Sequence, residues 1–246
     1  MSFRGSRKHL LDLLEGPGYS PKINLLLEGT DAVISPADPK QPKGFHDPAE
    51  DELPAFCRKY LGGLIDVSCL DVGQWWTLHN GTTPNWDLLS TITVGDRRGL
   101  LLIEAKAHEG EMKKDGKKLS ANASAASRAN HQSIGTSIEY ASVELCRSMP
   151  GFRLSRDKHY QLCNRIAWAW KVASLGLPVV LIYLGFTGDT YFATDYFRDE
   201  AHWQSLMASH LGPVAPPDFV SGRVTVGHGS LQFLVRSLPV LDLATA

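Results

Sequence analysis

Asp87, Glu104 and Lys106 combine the residue types that hydrolysis of a phosphodiester bond requires. Mg²⁺ prefers hard oxygen ligands and usually takes one or two carboxylates while it keeps several waters. Such an ion lowers the pKa of its bound water and neutralises the charge that develops on the phosphate in the transition state. A neighbouring ammonium group can orient or help to deprotonate the attacking water and adds positive charge beside the phosphate. The three residues therefore predict a metal-dependent hydrolytic site.

The chain around these residues predicts the β-hairpin that would hold them together. Residues 86–94 are rich in β-branched side chains, residues 100–107 begin with four aliphatic residues, and the turn sequence GDRRG lies between the two runs. Glu104 and Lys106 are two residues apart, so they project from one face of the second strand. Charged groups at the end of a buried strand need partners or a metal ion, although an acidic-x-Lys triplet is also common on solvated strand edges.

Asp87 joins the other two residues only if the hairpin has a suitable register. If Val94 pairs with Gly99 around a four-residue loop, Asp87 lies opposite Lys106 and on the same face as Glu104. A slip by one residue would turn Asp87 to the opposite face of the sheet. The register of the hairpin therefore decides whether the three residues form one site.

The acidic pair and the lysine also carry a resemblance to a known family. The pattern Asp87…Glu104-Ala105-Lys106 resembles the PD-(D/E)xK nuclease superfamily, which has the restriction-endonuclease-like fold. Within that superfamily, a bacterial group of poorly characterised members is similar to two segments, LLLIEAKAHEGEM and YQLCNRIAWAWKV, and the likeness covers roughly residues 85–186. The resemblance implies an α/β fold in which a mixed β-sheet is flanked by helices, with an αβββαβ core.

The same resemblance implies roles for individual residues. Asp87, Glu104 and the backbone carbonyl of Ala105 would hold Mg²⁺ or Mn²⁺, and Lys106 would lie beside the attacking water. A polar residue on a following helix often assists such a site, and Gln161 fits that position, which makes it the fourth predicted catalytic residue.

The helix around Gln161 offers further accessory residues. Gln161, Asn164, Arg165 and Trp168 fall at intervals that place them on one largely polar face. Asn164 and Arg165 are therefore candidates for the margin of the site. The alternative is that this face is ordinary, solvated helix surface.

Other acidic and histidine residues could complete the site. The first core helix of the superfamily often supplies a glutamate, for which Glu28 and Glu52 are both candidates and Glu52 is favoured. His108 and Glu111 lie just beyond the lysine and are accessory candidates as well. The alternative for both is an ordinary exposed side chain.

Periodicity along the chain predicts one domain over residues 1–246, with a core at about 50–190 and extensions at both ends. Apolar residues at helical spacing predict helices at about 132–149 and 157–175, and the apolar run 179–186 predicts a buried strand. Shorter elements are predicted elsewhere: helices at residues 8–15, 47–61 and 203–211, and strands at 223–226 and 231–238. The order of hairpin, helices and strand is typical of a mixed sheet packed against helices.

The composition of the chain neither indicates nor excludes a nucleic-acid partner. The chain has 246 residues and a formal net charge of −1 at pH 7, yet a cleft can be locally positive in a neutral protein. The basic cluster Lys113, Lys114, Lys117 and Lys118 could contact phosphates, although a solvated loop is favoured. Trp75 and Trp76 could stack on bases, although a place in the core is favoured.

Cysteine usage and hydropathy indicate the cellular environment. The four cysteines form no Cys-x-x-Cys pair, which predicts buried thiols in a reducing cytoplasm rather than disulfides or a zinc site. The start of the chain lacks the apolar stretch of a signal peptide. The strongest apolar run, residues 177–186, is too short to span a bilayer. We therefore expect a soluble, cytoplasmic protein with no membrane partner.

The sequence as a whole predicts a Mg²⁺-dependent nuclease, with DNA favoured over RNA as the substrate and a homodimer left open. Two alternatives use the same fold without hydrolysis. One is a module that binds nucleic acid or protein, and the other is a structural subunit of a defence complex, which would expose a large apolar patch.

Overall fold

The helices and strands of this chain mix along the sequence as in an α/β fold. The computed structural model describes residues 4–15, 18–192 and 194–240. Within these ranges there are six α-helices: α1 (Gly5–Glu15), α2 (Tyr19–Leu26), α3 (Leu53–Tyr60), α4 (Ala125–Ser148), α5 (Tyr160–Ser174) and α6 (Glu200–Leu211). The strands are β1 (Ala32–Val33), β2 (Lys40–Gln41), β3 (Asp51–Glu52), β4 (Asn85–Trp86), β5 (Leu88–Val94), β6 (Arg97–Lys106), β7 (Pro178–Thr187), β8 (Arg223–Val226) and β9 (Gly229–Pro239).

Seven of the strands form one mixed sheet in the order β1, β5, β6, β7, β9, β8, with β2 also paired to β5. β6 runs antiparallel to β5 but parallel to β7, and β7 runs parallel to β9. Parallel neighbours need a crossover connection. Helices α4 and α5 lie in the crossover from β6 to β7, and α6 lies in the crossover from β7 to β9. β3 and β4 pair separately as a two-stranded sheet.

The two faces of the sheet contact different hydrophobic cores. On β6, Leu100 and Leu102 belong to the core that is shared with α3 to α6. Leu101 and Ile103 belong to the core that is shared with α1 and α2. The alternation explains why this strand is a continuous aliphatic run, and it confirms the prediction of a strand that is buried on both faces.

The predicted four-residue loop of the hairpin is wrong. Val94 pairs with Arg97 rather than with Gly99, so the turn contains two residues. Its first residue, Gly95, has a φ of 61°, a backbone conformation that glycine adopts without steric cost and that suits two-residue hairpin turns. The register is shifted by two residues, and a shift of two keeps every side chain on its predicted face.

Two helices start away from their predicted positions, α4 because a serine caps it earlier and α3 because Pro54 delays it. α4 begins at Ala125, seven residues before the predicted start at residue 132, where the Ser124 hydroxyl accepts a hydrogen bond from the Ser127 N–H at 3.1 Å. α3 begins only at Leu53, with Pro54 in its first turn, where a proline is tolerated. α5, α6 and β7 to β9 differ from their predicted bounds by three residues or fewer at either end.

Aromatic and sulphur side chains fill much of the core around α5. Trp76 is buried and Trp75 half-buried, and their rings pack against that of Trp168 at centroid distances of 5.3 and 4.8 Å. This confirms core packing for the tryptophan pair.

All four cysteines are free, and Cys57 and Cys163 are buried. No helix within the described ranges has both the length and the apolar character needed to cross a membrane.

Candidate active site

The end of β6 that carries Glu104, Ala105 and Lys106 opens into a cavity of about 580 Å³. Asp87, which lies between β4 and β5, lines the same cavity, as does Gln161 in the first turn of α5. Leu88 pairs with Ile103 in the hairpin, so Asp87 comes next to Glu104 rather than next to Lys106. The structure therefore brings together all of the residues that the sequence predicts as catalytic or metal-binding.

Glu104 lies at the centre of the polar contacts in this cavity. Its carboxylate is 1% exposed. Gln161 Nε2 donates to its Oε1 at 2.9 Å, Arg165 Nε donates to its Oε2 at 2.5 Å, and Lys106 Nζ also donates to Oε1. Burial alone would raise the pKa of Glu104, but the charges of Arg165 and Lys106 outweigh it and hold this pKa below its usual value. Glu104 is therefore a carboxylate at neutral pH.

Lys106 is held in its charged form by the same contacts. Burial would lower its pKa, but the neighbouring carboxylates Glu104 and Asp87 raise this pKa above its ordinary value. The side chain therefore enters the cavity as an ammonium group. It can orient a water molecule and offset negative charge, but it has no lone pair with which to accept a proton.

Asp87 has the opposite electrostatic environment. Its Oδ2 accepts a hydrogen bond from the Ala105 N–H at 2.7 Å. Burial raises the pKa of Asp87 to about 7, and the negative charge of Glu104 contributes to the rise. Two adjacent carboxylates thus differ in charge: Glu104 is ionised, whereas Asp87 is close to its titration midpoint at neutral pH.

Arg165 and Asn164 are not on ordinary helix surface, so that alternative is wrong for these two residues. Arg165 is 7% exposed and Asn164 is 4% exposed. Arg165 Nη2 donates to the carbonyl oxygen of Asn85 at 2.7 Å, and its guanidinium lies 4.7 Å from the ring centroid of Trp86. Arg165 Nη1 donates to Asn164 Oδ1 at 3.2 Å. Arg165 lines the cavity, and Asn164 lies behind it and contacts it.

Glu52 is the predicted accessory glutamate that reaches the cavity wall. It lies at the end of β3 and directly precedes α3, so it is not within a helix. Its Oε2 accepts hydrogen bonds from the Thr83 hydroxyl at 2.6 Å and from the Thr83 N–H at 3.2 Å. Glu28 follows the end of α2 and is not part of the cavity wall.

Glu111 and His108, the two accessory candidates beyond the lysine, have different positions. Glu111 lines the cavity, where its Oε1 accepts from the Ser6 hydroxyl at 2.9 Å and its Oε2 accepts from the Ala107 N–H at 2.6 Å. His108 is not part of the wall. Its ring stacks on Phe192 with centroids 4.1 Å apart, and its Nε2 lies 4.0 Å from Glu111 Oε1, so His108 is a neighbour of Glu111 that does not line the cavity.

Some residues of the cavity wall were not predicted from the sequence. They are Ser6, Glu50, Thr82, Thr83 and Asn85, whereas Lys113 belongs to the basic cluster for which a solvated loop was favoured. Ser6 is contributed by α1, 105 residues from its partner Glu111. No local motif marks these positions, because they become neighbours only when the helices pack on the sheet.

The composition of the cavity wall suits a magnesium-type ion. Five carboxylates (Glu50, Glu52, Asp87, Glu104 and Glu111) face three cationic groups (Lys106, Lys113 and Arg165). Glu50 is also paired with Arg7 at 3.2 Å, so the carboxylates nearest to a bound phosphate would be those that a metal ion could balance. Among the described residues, no group of three or more His, Cys, Asp or Glu side chains is arranged to hold a metal ion, and Mg²⁺ often uses only one or two carboxylates.

The Ala105 carbonyl can add a further oxygen to this pair of carboxylates. The N–H and C=O groups of a strand residue point to the same side of the strand. Because the Ala105 N–H points to Asp87, its carbonyl oxygen points to that side too, and Ala105 lines the cavity. Asp87, Glu104 and this carbonyl form an all-oxygen donor set that fits Mg²⁺ or Mn²⁺ better than a softer metal.

Comparison with protein-family models, with curated proteins and with solved structures finds no match to this chain. The likeness to PD-(D/E)xK nucleases therefore stays a prediction that rests on the pattern Asp87…Glu104-Ala105-Lys106. The chemistry of the site follows from the cavity and its own residues.

Proposed function

We propose that this chain is a metal-dependent nuclease that hydrolyses phosphodiester bonds in nucleic acid. One observation carries the proposal: Asp87, Glu104, the Ala105 backbone and Lys106 line one cavity, where oxygen ligands for a metal ion lie beside an ammonium group. DNA is favoured over RNA as the substrate because the residue pattern resembles that of restriction-endonuclease-like enzymes.

Each carboxylate would offer an oxygen to Mg²⁺ or Mn²⁺. Asp87 Oδ2 accepts a hydrogen bond from the Ala105 N–H at 2.7 Å. This contact orients the carboxyl group and leaves Oδ1 available to bind the metal ion. Glu104 is held in one orientation by Gln161 and Arg165. When bound, the ion would polarise the phosphate and lower the pKa of a water molecule.

Lys106 would act as a fixed positive charge. Its ammonium group is buried beside Glu104 and needs little rearrangement to meet a phosphate oxygen or the attacking water. Such preorganised charge is worth more at a shielded site than the same charge in bulk water. Because its pKa is raised, the lysine orients the water and offsets negative charge rather than taking up a proton.

The order of elements supports the finer fold proposal. Helices α1 and α2, strands β1, β5 and β6, helices α4 and α5, and strand β7 have the order αβββαβ, although β2, β3, α3 and β4 lie between β1 and β5 and the unit begins before the predicted core at about 50–190. In this proposal the acidic residues and the lysine lie on the second and third strands of that unit. β1 contains only two residues, so the first strand of the unit is short.

The proposal is tested by a nuclease panel of single- and double-stranded DNA and RNA, with Mg²⁺ or Mn²⁺. We expect cleavage by the wild type and a loss of about a hundredfold in Lys106→Ala and Asp87→Ala, the usual cost of removing one preorganised group. Lys59→Ala, which changes an exposed lysine on α3, should cleave as the wild type does. Equal activity in the wild type and in both site variants would rule out these catalytic roles.

Gln161 provides a milder test of how the site is organised. Gln161→Leu removes the amide that donates to Glu104 Oε1, and such supporting hydrogen bonds change metal affinity by about 10- to 100-fold. We therefore expect a Mn²⁺ affinity at least about tenfold weaker in calorimetry, with the fold retained. Gln204→Leu on α6 is the matched control. An unchanged Mn²⁺ affinity in Gln161→Leu would show that this amide does not orient a metal ligand.

A binding module without hydrolysis is the second candidate, and one observation favours it. Both oxygens of Glu104 already accept hydrogen bonds from Lys106, Gln161 and Arg165, so a metal ion would have to share an oxygen with them. A Mn²⁺ titration separates the two candidates. Saturable binding that Asp87→Asn abolishes supports the nuclease, whereas nucleic-acid binding with neither metal binding nor cleavage supports the module.

A further inference from the structure

The basic loop at residues 113–118 is docked on the start of α5 rather than free in solvent. The carbonyl oxygens of Lys114 and Asp115 accept hydrogen bonds from the N–H groups of His159 and Tyr160 at 2.9 and 3.1 Å. Asp115 also forms an isolated β-bridge with Lys158. The loop is therefore held beside Gln161, which lies in the same first turn of α5 and lines the cavity.

This docking gathers five lysines into what we call the lysine rim: Lys113, Lys114, Lys117, Lys118 and Lys158. Lys113 lines the cavity, and Lys114, Lys118 and Lys158 are exposed outside it. Lys117 is half-buried, with its ammonium 4.9 Å from the centroid of the Tyr160 ring. In the part of the chain that the structure describes, none of the five forms an ion pair, although many other cationic side chains do.

The absence of carboxylate partners is notable because the protein as a whole is close to neutral. Its formal net charge is −1, so the rim is a local concentration of positive charge. Asp157, next to Lys158, is already paired with Arg156 at 2.9 Å. Burial lowers the pKa of His159, and the positive charges of Lys114 and Lys158 lower it further. The lysine rim therefore presents positive charges without ion-pair partners to any part of a ligand that extends out of the cavity.

We propose that the lysine rim binds the phosphate backbone of a polynucleotide whose reacting phosphate lies in the cavity. This rests on the proposed function, because it takes the cavity as the place of hydrolysis. A small phosphodiester would fit within the cavity and would meet Lys113 without reaching the exposed lysines. Only a ligand with further phosphates can contact both regions, so the substrate class is a polymer rather than a mononucleotide derivative.

Charge favours a nucleic acid over other anions. Each lysine that neutralises a phosphate releases a condensed counterion, which gives affinity without sequence specificity. Lysines act as point charges and suit phosphates that pass at varied angles. A clustered set of lysines can also attract an anionic lipid surface, but only a polynucleotide can at the same time place a phosphodiester in the adjoining cavity.

The test is the salt dependence of oligonucleotide binding, measured by fluorescence anisotropy in EDTA with a labelled single strand. The variant is Lys114→Gln combined with Lys118→Gln, since neither side chain makes a hydrogen bond or an ion pair among the described residues. We expect its affinity at low salt to fall about tenfold. The slope of log K against log salt should become shallower by about 1.4, or about 0.7 for each phosphate that the variant no longer neutralises.

The matched control is Arg147→Gln combined with Arg223→Gln, which also removes two positive charges. Arg223 is in register, across β9 and β7, with Leu101 of β6, so it lies three strands away and about 16 Å along the sheet from Lys106. Arg147 is in the last turn of α4, whose end contacts β8 through the Ser148 hydroxyl. The control should keep the wild-type affinity and slope.

Three outcomes would overturn the rim proposal. They are wild-type binding by the rim variant, an equal loss in the rim variant and the control, and rim-dependent binding of phosphatidylserine vesicles without rim-dependent binding of the oligonucleotide. Because EDTA prevents metal-dependent cleavage, the result does not depend on catalysis. A chain that binds through the rim but never cleaves with Mg²⁺ or Mn²⁺ would refute only the proposed function.

Discussion

Glu104→Gln is expected to lower the free energy of unfolding by about 3–5 kcal/mol, the usual cost of breaking a buried ion pair by removing one partner. Glu104 accepts hydrogen bonds from two cations, Lys106 and Arg165, which are 6% and 7% exposed. Without the glutamate charge, only Asp87 remains to balance them, and even when fully ionised it supplies one negative charge for two cations. Two buried positive charges would then lack full compensation.

The geometry of the amide adds to this cost. The oxygens of Glu104 face donors on both sides, with Gln161 and Lys106 at Oε1 and Arg165 at Oε2. A glutamine at this position must turn its NH₂ group towards one of these donors. Two donors then face each other, and the hydrogen bond is removed rather than weakened.

Urea denaturation of the wild type and the variant measures the effect. Glu52→Gln is the control, because Glu52 lines the same cavity but accepts only from the uncharged groups of Thr83, so its loss should cost about 1 kcal/mol. Arg165→Met in the Glu104→Gln background should recover part of the loss, with a coupling energy of about 1–3 kcal/mol. A cost below about 1 kcal/mol for Glu104→Gln would show that the network does not depend on this charge.

The common position of Asp87, Glu104 and Lys106 could be predicted from the sequence because side chains alternate between the two faces of a strand. Glu104 and Lys106 share a face whatever the register, and Asp87 joins them in any register of the correct parity. The true pairing differs by two residues from the predicted one, which leaves the parity unchanged. The predicted length of the turn at Gly95 was wrong, because the same sequence is compatible with a two-residue and a four-residue loop.

For the site residues on α5, the sequence predicted the positions but not the burial. The periodicity of α5 located Gln161 and the helix itself, with bounds that differ by three residues or fewer. The same pattern left Arg165 either at the margin of the site or on solvated helix surface, and the structure buries it. The cause lies 61 residues away, since Glu104 on β6 supplies the charge that offsets the cost of burying the guanidinium. Side chains such as Ser6 likewise enter the cavity only through tertiary packing.

Asp87→Asn should change stability in the opposite direction from Glu104→Gln, and by an amount that depends on pH. The pKa of Asp87 is about 7 in the folded protein against an ordinary value of 3.8. Between about pH 4 and pH 7 the folded chain therefore holds a proton that the unfolded chain has released. Because the folded state binds more protons, the contribution of Asp87 to stability is present at low pH and is lost as the pH rises through 7.

An asparagine cannot ionise, so the Asp87→Asn variant does not lose stability as the pH rises through 7. A shift of about three pKa units corresponds to about 4 kcal/mol, and water in the cavity reduces the effect, so we expect about 2–4 kcal/mol. The variant should therefore gain this much stability relative to the wild type between pH 4.5 and pH 8. At pH 4.5 the two proteins should be similar, because Asp87 is then neutral in the fold and its carboxyl, like the amide, leaves an oxygen for the Ala105 N–H.

Urea denaturation in EDTA across that pH range measures the difference, and Glu139→Gln on the exposed side of α4 controls for the loss of one negative charge. Mn²⁺ should then reverse the order of stability at pH 8. An ion that binds only the folded wild type adds about 4.1 kcal/mol at a thousand times its Kd, which exceeds the expected gap, and the variant, which lacks the ligand charge, should gain little. Parallel pH curves for the wild type and Asp87→Asn would mean that Asp87 ionises as an ordinary solvated carboxylate. Asp87 would then already be ionised at neutral pH, and a metal ion would bind it without the release of a proton.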